Sequence, residues 1–158
     1  MFEQYTFSAR RVIFYARQEA GDMGASSIES EHLLIGVLRE NKELLPPGVA
    51  DQICRSLKAG TPEIAAPADY SAADYAKDMP VSEESTRVLK LAEKEARKLG
   101  HKMITPGHLL LALLRAEVSP GEKSRAASVL NEYHVDAVTF RNHMVPPNPS
   151  DFEGRNYV

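Results

Sequence analysis

Residues 6–40 align with residues 82–116 at a constant offset of 76 and without a gap, and 12 of the 35 positions are identical. The identities are Arg11/Arg87, Val12/Val88, Ala16/Ala92, Glu19/Glu95, Ala20/Ala96, Gly24/Gly100, Ile28/Ile104, His32/His108, Leu33/Leu109, Leu34/Leu110, Leu38/Leu114 and Arg39/Arg115. A unit this short cannot cover its own apolar face. Two copies in one chain are therefore expected to pack on each other and fold as one pseudo-symmetric body.

Each copy opens with an amphipathic helix. Ala9, Val12, Ile13, Ala16, Ala20 and Met23 recur at three- and four-residue spacing in the first, and Ser85, Val88, Leu89, Ala92, Ala96 and Leu99 do so in the second. Thr6 and Ser82 stand where an N-cap is wanted, and Gly24 and Gly100 where a left-handed residue ends a helix. A second helix begins near Ser30 in one copy and at Thr105-Pro106 in the other, where proline's missing N–H costs least. Its body, Leu33 to Leu38 or Leu109 to Leu114, is apolar all round and belongs at the centre, so Leu34, Leu38, Leu110 and Leu114 are expected among the most buried residues.

The second copy continues into two short helices, Ala126–Tyr133 and Asp136–Met144, separated by a turn at His134-Val135. In the first copy Pro46, Pro47 and Gly48 break the pattern, and Val49–Leu57 is the next helical stretch. No stretch shows strand alternation. The expected organisation is repeat one over 4–58, a linker over 59–80 rich in Ala, Pro and Asp with a helical turn near Ala72–Ala76, repeat two over 81–144, and an extended or flexible tail over 145–158 containing three prolines.

Several function classes are excluded or disfavoured by the same sequence. The longest apolar run, Leu109 to Leu114, is far short of the roughly 18 residues that span a bilayer, and the first residues lack the basic and apolar blocks of a signal peptide. A cytoplasmic chain is expected. A net charge of −3 supplies no overall field for nucleic acid or an anionic membrane. The single cysteine, Cys54, rules out an internal disulfide and a cysteine zinc site, and its spacing suits a small core residue better than a reactive thiol. The phosphate-binding pattern G-x-x-x-x-G-K-[ST] is absent, so ATP hydrolysis by that route is not expected.

A helix ending in Glu-Ala-x-x-x-Gly, then Ile, then a His-Leu-Leu helix, present twice, resembles the N-terminal double-repeat domain of Clp/Hsp100 ATPases, and within them the ClpC type. The pieces are Arg11-Val12, Glu19-Ala20, Gly24 and Glu31-His32-Leu33-Leu34 in copy one, and Arg87-Val88, Glu95-Ala96, Gly100 and His108-Leu109-Leu110 in copy two. The resemblance covers roughly residues 4–144. It implies an all-α fold, a pseudo-twofold bundle of two four-helix repeats with about eight helices, and a non-catalytic module that binds adaptor or substrate proteins for an unfolding ring or regulates a Clp ATPase. No cofactor and no metal are implied. Nucleotide-binding modules that follow this domain in the family are not found before Val158, so the expectation is either a piece of a longer ATPase or a free-standing protein, the lack of a further charged linker inclining towards the second.

In the Gram-positive ClpC relatives the domain binds phosphorylated arginine, the phosphate near the capping Thr of the first helix and the guanidinium on the Glu before the repeated His. Carried over, this implies a site of Thr6, Arg10 and Glu31 in copy one and a degenerate site of Ser82 and Gly107 in copy two. The physics is asymmetric in the same sense. Arg10 and Arg11 lie at the start of the first helix, where cations are unfavourable unless an anion arrives, whereas Glu83 and Glu84 occupy the equivalent turn in copy two and repel phosphate. The competing reading for Arg10 and Arg11 is pairing with nearby carboxylates. A different class of function, a small-molecule binder or hydrolase using Glu31, His32 and His108, requires these three to converge on an open cleft. Otherwise the repeated His caps or packs at its helix start, and the repeated Glu19 and Glu95 are helix-surface residues in salt bridges or tying down the next loop.

Overall fold

The computed structural model describes residues 3–59 and 79–144. The linker from 60 to 78, with the turn expected near Ala72–Ala76, and the tail from 145 lie outside the described residues. Repeat one contributes α1 (Phe7–Asp22), α2 (Ser30–Glu40), a single 3-10 turn at Lys42–Leu44 and α3 (Val49–Ala59). Repeat two contributes α4 (Glu83–Lys98), α5 (Pro106–Arg115), α6 (Arg125–Glu132) and α7 (Ala137–Met144). The fold is all-α.

The helix boundaries follow from local chemistry. Thr6 Oγ1 accepts from the Ala9 N–H at 3.1 Å and Ser82 Oγ from the Ser85 N–H at 3.1 Å, so each first helix is capped as its sequence requires. Gly24 and Gly100 take φ of 73° and 74°, the left-handed turn that ends α1 and α4. Pro106 is the first residue of α5, where no N–H is needed. One element was not foreshadowed: after α5 the chain forms a short antiparallel ribbon, β1 (Glu117–Ser119) with β2 (Glu122–Lys123), turned at Gly121 with φ of 82°. Strands of three and two residues are too short to show alternation.

α2 and α5 form the centre, as their all-round apolar sequences demand. Leu34, Leu38, Leu110 and Leu114 are all buried, and one continuous core joins residues of both repeats. Gly36 sets how closely α1 approaches α2: a methyl group there would stand 2.5 Å from the Val12 carbonyl oxygen and 3.1 Å from the Ala16 nitrogen. Cys54 is only half-buried on α3, at the margin of this core, and burial raises its thiol pKa.

The two repeats are also stitched by backbone. Tyr5 forms a parallel bridge with Ile104, and Ile28 one with Val81. The Thr6 N–H donates to the Ile104 carbonyl at 3.0 Å and the Ser82 N–H to the Ile28 carbonyl at 3.1 Å. The residue leading into the first helix of each repeat therefore lies against the residue leading into the second helix of the other.

Candidate functional site

That crossing decides which candidate residues meet. At the start of α1, Arg11 Nε donates to Glu40 Oε2 at 2.9 Å, and a second Arg11 nitrogen engages the other carboxylate oxygen, tying the beginning of α1 to the end of α2. Glu31 sits nine residues before Glu40 on the same helix, about 13 Å along its axis. Thr6 and Arg10 are thus at one end of the α1–α2 pair and Glu31 at the other. The expectation that Thr6, Arg10 and Glu31 gather around one helix start assumed that a site stays within one copy; the parallel bridges instead join helix starts across copies.

Two composite helix starts result. The first brings Thr6 and Ser8 of α1 to Thr105, Pro106 and Gly107 of α5, and a cavity of 320 Å³ lies between Ser8, Glu40, Gly107 and Met144. Gly107 offers no carboxylate, and a methyl group added there would stand 3.1 Å from the Met144 methyl, so the end of α7 covers it. The carboxylate that does stand at this cavity, Glu40, is engaged by Arg11, and that hydrogen bond raises the guanidinium pKa further. The Thr6 hydroxyl is itself buried and committed to its cap. The second start bridges Ser82 to Ile28, three residues before Glu31, with Glu83 and Glu84 in the first turn of α4. One start has the cationic helix entry and lacks a free carboxylate; the other has the carboxylate and an acidic entry.

The repeated histidines have a structural task. Backbone N–H of Glu29 donates to His32 Nδ1 at 2.9 Å, and that of Thr105 to His108 Nδ1 at 2.9 Å, so each His fills the third position of a capping box where Glu or Gln is usual. Both are buried. Burial, the larger cause, and the adjacent His101 push His108 down to about 3, and burial lowers His32 despite the raising influence of Glu29 and Glu19. Because its Nδ1 accepts, neutral His108 carries its proton on Nε2 and donates to His101 Nδ1 at 2.8 Å. Neither ring opens onto a cleft with Glu31, so the hydrolase arrangement is not assembled. Among the described residues no three His, Cys, Asp or Glu side chains stand close enough together to hold a metal ion.

Glu19 and Glu95 correct another expectation. They are buried rather than on the helix surface. Glu19 pairs with Arg39 at 3.0 Å and Lys58 at 3.2 Å, and Glu95 with Arg115 at 3.3 Å. The two arginines, Arg39 and Arg115, lie one helix away at equivalent positions of α2 and α5, so the repeated Glu and the repeated Arg are one device, present in both copies, that pins the first helix of each repeat to the second. Sequence periodicity could not show this, because a carboxylate on the buried stripe reads as an interruption until its cation is placed.

What sequence reasoning missed is the outer face of α1. Phe7 and Phe14 are 56% and 47% exposed, separated by two turns, with Arg10 and Arg11 between them. The helical stripe used to find the core discards residues on the opposite face, and two exposed phenylalanines are visible there only as departures from polarity.

Residues 4–133 match the family model of the Clp repeat N-terminal domain. The chain is 33% identical over 149 residues to the chloroplastic chaperone protein ClpC of Pisum sativum and to the chloroplastic ClpC1 of Arabidopsis thaliana, covering 92% of this chain but only 15% of each relative. Its fold is similar to the N-terminal domain of ClpD from Arabidopsis thaliana, with a TM-score of 0.69 at 22% identity, covering 90% of this chain and 92% of that one. It is also similar to the Hsp104 N-terminal domain from Candida albicans, with a TM-score of 0.67 at 19% identity and 91% of both chains covered. No helix among the described residues is long and apolar enough to cross a membrane. With the internal repeat, its crossed halves and these matches in agreement, the chain belongs to the Clp repeat N-terminal domain family.

Proposed function

We propose that this chain is a non-catalytic protein-interaction module of a Clp chaperone or protease system, working in the cytoplasm, where it docks adaptor or substrate proteins or regulates a Clp ATPase. The observation that carries the reading is the fate of the chemically competent groups. The two histidines and the two repeated glutamates are consumed by capping boxes and buried ion pairs, while the surface retains exposed aromatic and cationic side chains. Groups that could perform chemistry hold the fold, and groups that could bind a protein face solvent.

Recognition of arginine-phosphorylated substrates is supported at neither helix start in full. Phosphate is favoured by the free N–H groups of a helix entry and repelled by Glu83 and Glu84, and a guanidinium needs a free carboxylate, which Glu31 supplies only at the acidic entry. Docking of an unmodified protein surface is the better fit. Co-precipitation from native lysate, with and without phosphatase treatment, tests both parts. Clp ATPases, their adaptors or their substrates should be enriched, and phosphatase should leave the capture unchanged. Absence of every Clp component overturns the module reading; capture abolished by phosphatase restores the phosphoarginine reading, with Thr6, Arg10 and Glu31 as the residues to dissect.

A further inference from the structure

The outer face of α1 differs from the equivalent face of α4. Phe7 and Phe14 project into solvent at the two ends of a stripe about 10 Å long, and the chain contributes no other exposed phenylalanine among its described residues. Beside Phe14 lies a shallow cavity of 360 Å³ lined by Glu3, Arg10, Ile13, Phe14 and Arg17. Arg11 lies over the Phe7 ring at 5.2 Å and is neutralised by Glu40, whereas the Arg10 guanidinium has neither a hydrogen-bond nor an ion-pair partner among the described residues. The first turn of α1 holds no acidic residue, so the positive end of the helix dipole and Arg10 add to each other.

Exposed aromatic side chains flanking a desolvatable arginine are the composition of an interface centre rather than of a solvated surface. The equivalent stripe on α4 is Glu83, Thr86, Arg87 and Lys90, which is polar throughout and begins acidic. Equivalently packed cores with such different faces indicate that the α1 face serves something the α4 face does not.

We propose that the outer face of α1 docks an acidic amphipathic helix of a partner protein. Two apolar side chains of that helix, seven residues apart, sit against Phe7 and Phe14, and a carboxylate between them pairs with Arg10. The charge commits the occupant: a basic or neutral helix would leave Arg10 desolvated without a partner. A second copy of this chain is a poorer fit, because its own α1 face would bring Arg10 against Arg10. This inference rests on the interaction-module reading above and names the surface and the chemistry of its partner.

The test uses the whole chain and a fluorescein-labelled synthetic helical peptide with Leu on one face and Glu on the other, followed by anisotropy and by backbone amide shifts in an NMR titration. A matched peptide with Lys for Glu is the charge control. The acidic peptide should bind at least about tenfold more tightly than the basic one, weaken with added salt, and shift amides along α1. Phe14→Ser and Arg10→Glu, both at exposed positions, should each weaken binding about tenfold or more, and Lys90→Ala at the equivalent position of α4 should leave it unchanged. Equal affinity for the two peptides, shifts confined to other helices, or indifference to both α1 substitutions overturns the proposal. Self-association in sedimentation that Phe14→Ser abolishes also overturns it, by assigning the face to a second copy. These failures are separable from that of the module reading: an α1 face that ignores the acidic peptide leaves Clp components in the co-precipitate, whereas loss of those components leaves the peptide titration intact.

Discussion

α1 and α4 occupy equivalent places in the two repeats, and their inner faces, Val12, Ala16 and Ala20 against Val88, Ala92 and Ala96, are the same residues buried in the same way. Their outer faces share only the arginine at Arg11 and Arg87. Phe7 faces Glu83 across the alignment, Arg10 faces Thr86, and Phe14 faces Lys90. Packing permits little variation inside, because a lost or added methylene is felt throughout a close-packed core, whereas a solvated face is free to diverge. The duplicated half thus supplies the scaffold, and the difference between the halves supplies whatever discriminates partners. The helix starts teach the same lesson in another form: since they pair across repeats, divergence in one copy alters both composite sites at once, and the carboxylate of Glu31 ends up facing the acidic entry of the opposite copy.

The equivalence of the interiors is open to direct attack. Leu34 and Leu110 are corresponding, fully buried residues of the two central helices. Truncating either to alanine should cost about 2–5 kcal/mol, by transfer plus residual cavity, and the two costs should be similar. Chemical denaturation followed by circular dichroism should show one transition in both variants, because the core is continuous across the repeats. Two resolved transitions, or a large cost at one position and a negligible one at the other, would break the equivalence and divide the molecule into independent halves.

A subtler break lies at a central position where one repeat has glycine and the other does not. Gly36 in α2 corresponds to Ala112 in α5, and a methyl group added at Gly36 would meet backbone, 2.5 Å from the Val12 carbonyl oxygen. Backbone cannot rotate away as a side chain can. Gly36→Ala should therefore destabilise by about 2 kcal/mol through overpacking, even though alanine is the better helix former. The reciprocal change, Ala112→Gly, should cost only about 1 kcal/mol from lost helix propensity and a small void. A thermal melt of each variant checks the order; a stabilised Gly36→Ala would mean that α1 can move off α2 without cost.

Much of this was readable before any coordinates. The offset of 76 announced duplication, and Thr6, Ser82, Gly24 and Gly100 announced the helix ends, because capping depends on chemistry within one turn. Contacts between distant segments were not readable. Nothing in the residues around Thr6 says that its N–H will bond to Ile104, so the sequence alone suggests that each copy builds its own site, whereas the bridges at Tyr5 and Ile28 join the two copies. Glu19 and Glu95 were misplaced on the surface for a related reason: burial of a carboxylate becomes affordable only when its arginine, here Arg39 or Arg115 on the next helix, is brought alongside. The histidines were half-legible. Their position at a helix start suggested capping, while the short polar link between His101 and His108, seven residues apart across a loop, has no sequence signature.

That link separates the repeats under acid. In repeat one the residue equivalent to His101 is Ala25, so His32 lacks the neighbour that helps hold His108 down to about 3. A folded-state pKa below the unfolded value of 6.5 means that the unfolded chain takes up a proton first as pH falls, so the stabilisation is complete above 6.5 and is lost progressively below it. The loss runs at about 1.4 kcal/mol per pH unit per histidine, which gives about 1.4 kcal/mol from His108 at pH 5.5. Glutamine at the third helical position keeps an acceptor for the capping box without titrating. In His108→Gln the difference in unfolding free energy between pH 7.5 and pH 5.5, measured by urea denaturation, should therefore shrink by about that amount, and in His32→Gln it should shrink in the same direction by no more than that. An unchanged difference in His108→Gln would mean that the ring is already charged in the folded protein at pH 5.5, with its proton held at Nδ1 and the capping box broken.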